Sequence, residues 1–223
     1  ATHIRPPRRT KEEKIYGNIL GDKLNELLDE SVSTINLGMM SSMINSYSIE
    51  MFTNQILQYY PDIIIFNYGI NEAVPRLISR KAWSFFNRQS IKKQLIRRYT
   101  YAAILRIAPF IIRIFKCRSW MSIKAFRKEY EKRIGLINKE LSSIIVVLGI
   151  GKATDRVEGA LPGSNKAIEK YNECLEDICS RNENCIFINC FDLTSNMPDG
   201  IHFDSNGHRI IAERIISELK KLF

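Results

Sequence analysis

The chain has 223 residues, 45% of them apolar and 26% charged, which excludes a wholly disordered protein and suits a single α/β domain with a large core. Its five cysteines (Cys117, Cys174, Cys179, Cys185 and Cys190) make none of the paired spacings used for zinc or redox chemistry, so reduced, buried thiols and no metal site are expected. The net charge of +9 is uneven: from Arg76 to Arg133 seventeen cations face only Glu129 and Glu131, a local +15, so the remainder is acidic and one surface or insertion is set to meet an anionic partner.

Residues 1–14 hold Pro6, Pro7 and five basic residues without an apolar period and read as a loop. No secretory signal is visible there, and a cytoplasmic location is expected, with association at the inner face of the membrane as the variant. Ile15, Ile19, Leu20, Leu24, Leu27 and Leu28 recur at helical spacing and predict a helix over 15–28. Residues 32–37 read as a short strand that ends at Gly38, and residues 47–59 as a helix. After Pro61, residues 62–68 form a continuous β-branched and aromatic run, the pattern of a strand buried on both faces of a parallel sheet. Two more such runs, 143–149 and 185–189, follow helices expected over 123–141 and 166–179. The last helix, 205–222, puts Ile210, Ile211, Ile215, Ile216 and Leu219 on one face.

Strands that alternate with helices imply crossover connections and a parallel sheet covered on both sides. Four strands are readable. The chain starts with a helix that should leave an earlier strand, and Ala1 is not an initiator Met. One strand upstream is therefore expected to be missing from the sequence.

In open parallel sheets, ligands bind beyond the carboxyl ends of the strands. The residues there are Gly38 after the first run, Gly69-Ile70-Asn71-Glu72 after the second, and Asp199-Gly200-Ile201-His202 before the last helix. An aspartate three positions before a histidine can hold Nδ1–H, fixing the tautomer so that Nε2 acts as general base. Asn71 offers an amide N–H and Gly38 an unhindered backbone N–H, the two kinds of donor that stabilise an oxyanion.

The set Gly38, Gly69-x-Asn71 and Asp199-x-x-His202, in that order, resembles three of the conserved blocks of the SGNH/GDSL hydrolase superfamily, and residues 69–76 resemble members associated with bacterial polysaccharide synthesis. The resemblance covers most of the chain outside the basic stretch. It implies a three-layer, flavodoxin-like α/β/α fold, a serine nucleophile in a Gly-Asp-Ser turn after the first strand, no cofactor, and O-acyl esters as substrates, such as O-acetyl groups on a glycan or glycan precursor. It also implies that Asp199 and His202 are catalytic and that Gly38 and Asn71 form the oxyanion hole. His3, in the loop after the expected nucleophile, and Glu72, where the family usually has Asp, are candidate substrate contacts.

No Gly-Asp-Ser is present. Gly21-Asp22-Lys23 imitates it inside a helical pattern, too close to Asn36 for a crossover, and lysine cannot replace a hydroxyl. The spacing puts the serine immediately before Ala1, or makes Ala1 its replacement, so the chain as written should be inert. Ser41 and Ser42 suit a helix cap better than a nucleophile. The basic stretch 76–133 mixes its cations with Trp83, Phe85, Phe86, Phe110, Phe115, Trp120 and other large apolar residues. It reads as a helical insertion: a lid packed on the core or, as the alternative, a surface for anionic membrane or a glycan-assembly complex in a non-catalytic relative. Residues 102–115 are too short and too charged to span a membrane, and no nucleic-acid module is matched.

Overall fold

In a computed structural model of the chain, the described residues are 15–29, 31–38, 42–82, 94–115 and 118–222. Three parallel strands, β1 (Ile63–Phe66), β2 (Ile144–Leu148) and β3 (Cys185–Ile188), form a sheet in the order β1-β2-β3. In register, Ile64 pairs with Ile145 and Val147 with Phe187. The helices are α1 (Tyr16–Leu28), α2 (Ile49–Gln55), a single turn α3 (Ile70–Ala73), α4 (Gln94–Phe115), α5 (Ile123–Glu140), α6 (Asp155–Ala160), α7 (Ser164–Ser180) and α8 (Ser205–Leu219).

Strand side chains alternate between faces, so each central strand feeds two cores. Ile145 and Val147 join Phe126, Tyr130, Ile134 and Ile137 of α5 and Ile168, Leu175 and Ile178 of α7 on one side. Val146 and Leu148 join Leu20 and Leu24 of α1 and Ile211, Ile215 and Leu219 of α8 on the other. The result is the expected three-layer α/β/α arrangement, with the middle strand buried from Ile145 to Leu148. Ser122 caps α5 by accepting from Ala125 N, and Asp204 caps α8 by accepting from Gly207 N.

Two expectations are corrected. Residues 32–37 form no strand: they are irregular and largely exposed, and they line the same cavity as the outer edge of β1 without ladder hydrogen bonds to it. The insertion also ends earlier than residue 133. Residues 123–133 belong to α5, whose Phe126 and Tyr130 are in the core and whose buried Arg133 donates to the Tyr47 carbonyl and to Glu129. The base of the excursion is sewn to α3. Ser119 Oγ donates to the Ala73 carbonyl, Trp120 Nε1 donates to Ile78 O at 2.7 Å, and the Arg76 guanidinium lies 4.7 Å from the Trp120 ring centre. Cys174, Cys179, Cys185 and Cys190 are unpaired thiols, the first two and the last buried. Cys117 lies outside the described residues. Among the described residues no helix is long and apolar enough to cross a membrane, and no cluster of potential metal ligands occurs.

Candidate active site

The loop from β3 to α8 carries Asp199 and His202. Asp199 Oδ1 accepts from the backbone N–H of Ile201 at 3.0 Å and of His202 at 2.8 Å, while Oδ2 lies 2.6 Å from His202 Nδ1. Such a turn needs a tight reversal, and Gly200 supplies it at φ 85°, where a Cβ would meet Val157 Cγ2 at 2.5 Å and Thr154 Oγ1 at 2.6 Å. Burial alone would raise the Asp199 carboxyl; the donors from His202 and Ile201 outweigh it and hold the group below the usual carboxylate value. An ionised carboxylate only accepts, so His202 carries its proton on Nδ1 and turns Nε2 into the basic nitrogen. Arg156 Nη2 donates to Asp199 O at 3.1 Å and anchors the loop from α6. No spacing in the sequence marks Arg156 for this task.

The turn after β1 is built on Gly69 at φ 134°, where a Cβ would lie 2.5 Å from Ile150 Cδ1. It presents Asn71, whose Nδ2 donates to the Ser42 carbonyl at 3.0 Å and keeps a second amide hydrogen. The next residue corrects an expectation. Glu72 is fully buried, accepting from Ile44 N at 2.6 Å and Gly69 N at 3.1 Å, so it fastens the 42–46 segment to this turn and does not reach substrate. Burial pushes its carboxyl up to about 7, against the lowering effect of those amide donors.

Gly38 is placed on an exposed limb, and its N–H, expected to be available, donates to Asn36 Oδ1 at 3.0 Å. Tyr47 Oη also ties that limb, donating to Leu37 O at 3.2 Å. His3 and Ser41 lie outside the described residues. A cavity of about 1310 Å³ unites the rest: Gly38, Ser42, Asn71, Arg156 and His202 all line it, together with the outer edge of β1 from Ile63 to Tyr68. The structure thus brings His202 and the expected donors to one cavity that runs along the outer edge of β1, with Asp199 held against His202.

No family model and no curated protein matches the sequence. Solved structures do match in fold. An acetyl xylan esterase, AlAXEase, superposes with a TM-score of 0.57 at 14% identity over 92% of this chain and 90% of its own. An acetylxylan esterase from Geobacillus stearothermophilus gives 0.59 at 11% identity over 96% and 89%. A carbohydrate acetylesterase family member from Sinorhizobium meliloti gives 0.57 at 12% identity over 96% and 88%. Catalytic mutants of the Geobacillus enzyme replace a serine and, far downstream of it, an aspartate and a histidine three positions apart. The chain shares the three-layer α/β/α fold of these acetylesterases.

Proposed function

We propose that this site performs serine-dependent hydrolysis or transfer of an acyl ester, with O-acetyl groups of a glycan or glycan precursor as its substrates. The observation that carries the reading is the 2.6 Å Asp199–His202 contact on the wall of a cavity that Asn71 and Gly38 also line. The same aspartate-to-histidine spacing in the catalytic mutants of the Geobacillus esterase supports it.

A serine hydroxyl enters the cavity at the open edge of β1, where the first strand of the resembled fold would end. His202 Nε2 takes its proton as the oxygen attacks the ester carbonyl, and the imidazolium that forms is stabilised by ionised Asp199. Negative charge develops on the carbonyl oxygen. Asn71 Nδ2 donates its second hydrogen to it, and Gly38 N–H exchanges the neutral Asn36 oxygen for the stronger, charged acceptor. His202 then returns the proton to the leaving alkoxide. Water, or an acceptor hydroxyl, repeats the sequence on the acyl-enzyme.

In the full-length gene product, p-nitrophenyl acetate should be hydrolysed and a fluorophosphonate probe should label a single serine. His202→Ala should lower turnover by roughly 10³-fold or more. Unchanged turnover in that variant would refute the assignment.

A further inference from the structure

Among the described residues, helix α4 holds several of the most exposed large apolar side chains. Of its described side chains, Ala108 and Ile112, one turn apart, are 2% and 3% exposed, and Ala108 lines the same cavity as His202. The opposite side carries Ile107, Phe110 and Ile114, exposed at 50%, 69% and 54%, and Phe115 ends the helix at 73%. Spacings of three and four put Ile107, Phe110 and Ile114 in one row along the helix. A lid that only packed on the core would bury such a row and turn its charges outward. Here the row faces away from the core.

Its charged neighbours identify what could cover it. Arg106 and Arg113 are exposed and seven positions apart, so they flank Phe110 on the same side as the apolar row. The helix contains no Asp or Glu in its 22 residues. It belongs to the stretch of net charge +15. Large apolar side chains beside arginines that no acid neutralises are the composition of a helix lying in a bilayer interface, with rings and aliphatic chains below the headgroups and guanidinium groups among the phosphates. The helix is neither long nor apolar enough to cross a membrane, so the fitting geometry is in-plane.

We propose that the face of α4 formed by Arg106, Ile107, Phe110, Arg113 and Ile114 docks the protein on an anionic lipid surface. This goes beyond the hydrolase reading and does not depend on it.

Flotation of the full chain with vesicles tests this. Binding is expected to vesicles of phosphatidylcholine and phosphatidylglycerol in equal parts and to be weakened to near background in about 0.5 M salt, where the screening length is roughly 4 Å. Phe110→Ser with Ile114→Ser should weaken partitioning by about tenfold or more, and Arg106→Glu with Arg113→Glu should abolish it. Because all four residues are exposed, the thermal melt of both variants should match the parent, which separates lost docking from lost folding. No binding by the parent would overturn the proposal. Binding that survives Phe110→Ser with Ile114→Ser would assign the affinity to other cations and overturn it equally. So would an apolar face covered by a second copy, seen as a dimer in sedimentation that the double serine variant dissociates, with no vesicle binding.

Discussion

The two halves of the site are held in different ways. The Asp199–His202 loop is fixed from several directions: three hydrogen bonds onto one carboxylate, a left-handed Gly200 packed on Thr154 and Val157, an arginine from α6 and a capped helix directly behind it. The limb that carries Gly38 is exposed, and its donor is held by a side chain only two residues away. In the proposed mechanism the half that moves protons is therefore preorganised, whereas the Gly38 donor must change partners as charge develops. Preorganised dipoles act with little reorganisation cost, so the rigid half should dominate rate losses and the limb should tune them.

The largest expected effect tests the rigid half. Asp199→Asn keeps the shape of the loop but removes the charge that orients and stabilises the His202 imidazolium, and kcat for ester hydrolysis should fall by about 10²–10⁴-fold. A loss below about tenfold would mean that His202 is held well enough by packing alone. Next, Asn71→Ala should cost about 10²–10³ in kcat with a smaller change in KM, as expected for a donor used mainly in the transition state.

Glu72 fastens the 42–46 segment to the Gly69 turn, and its substitution is read in stability. Glu72→Ala leaves the buried amides of Ile44 and Gly69 without an acceptor and should destabilise the fold by about 2–5 kcal/mol in chemical denaturation. Its pH dependence has a definite sign. A carboxyl raised to about 7 binds its proton more tightly folded than unfolded, so its contribution is greatest below the ordinary carboxylate range and is lost as pH rises through about 7. Asp199 runs the other way: a lowered carboxyl stabilises the fold above the ordinary carboxylate range and loses that contribution as pH falls through its folded value. Replacing Glu72 by Gln should flatten the stability profile on the approach to pH 7 while leaving the acid limb in place. The smallest effect belongs to the limb. Asn36→Ala releases the Gly38 N–H from its side-chain acceptor, and kcat/KM should change by no more than about threefold, in either direction.

The same division explains what the sequence made legible. The runs at 62–68, 143–149 and 185–189 announce strands because a strand covered on both faces must be apolar at every position, and helices α1, α5, α7 and α8 show their period directly. Residues 32–37 have the composition of a strand, but a ladder needs a neighbour at hydrogen-bonding distance, and that is a property of the fold. Charge hid the true end of the insertion. The lysines and arginines of 124–133 are the outer face of a core helix, and only Arg133 is drawn inside, by the Tyr47 carbonyl and Glu129. Asp199 and His202 could be found because their spacing is local, three residues in one turn. Glu72 could not be assigned to its role from spacing, since its partner Ile44 is 28 positions away, and Arg156 reaches the loop across 43.

The central claim is that Asp199 and His202 work as one unit, and a double-mutant cycle measures that directly. kcat for p-nitrophenyl acetate should be determined in the full-length gene product for His202→Ala, Asp199→Ala and the double variant. If the aspartate acts only through the imidazole, the double variant will be no slower than His202→Ala alone. Losses that multiply, or a His202→Ala enzyme as fast as the parent, would contradict it.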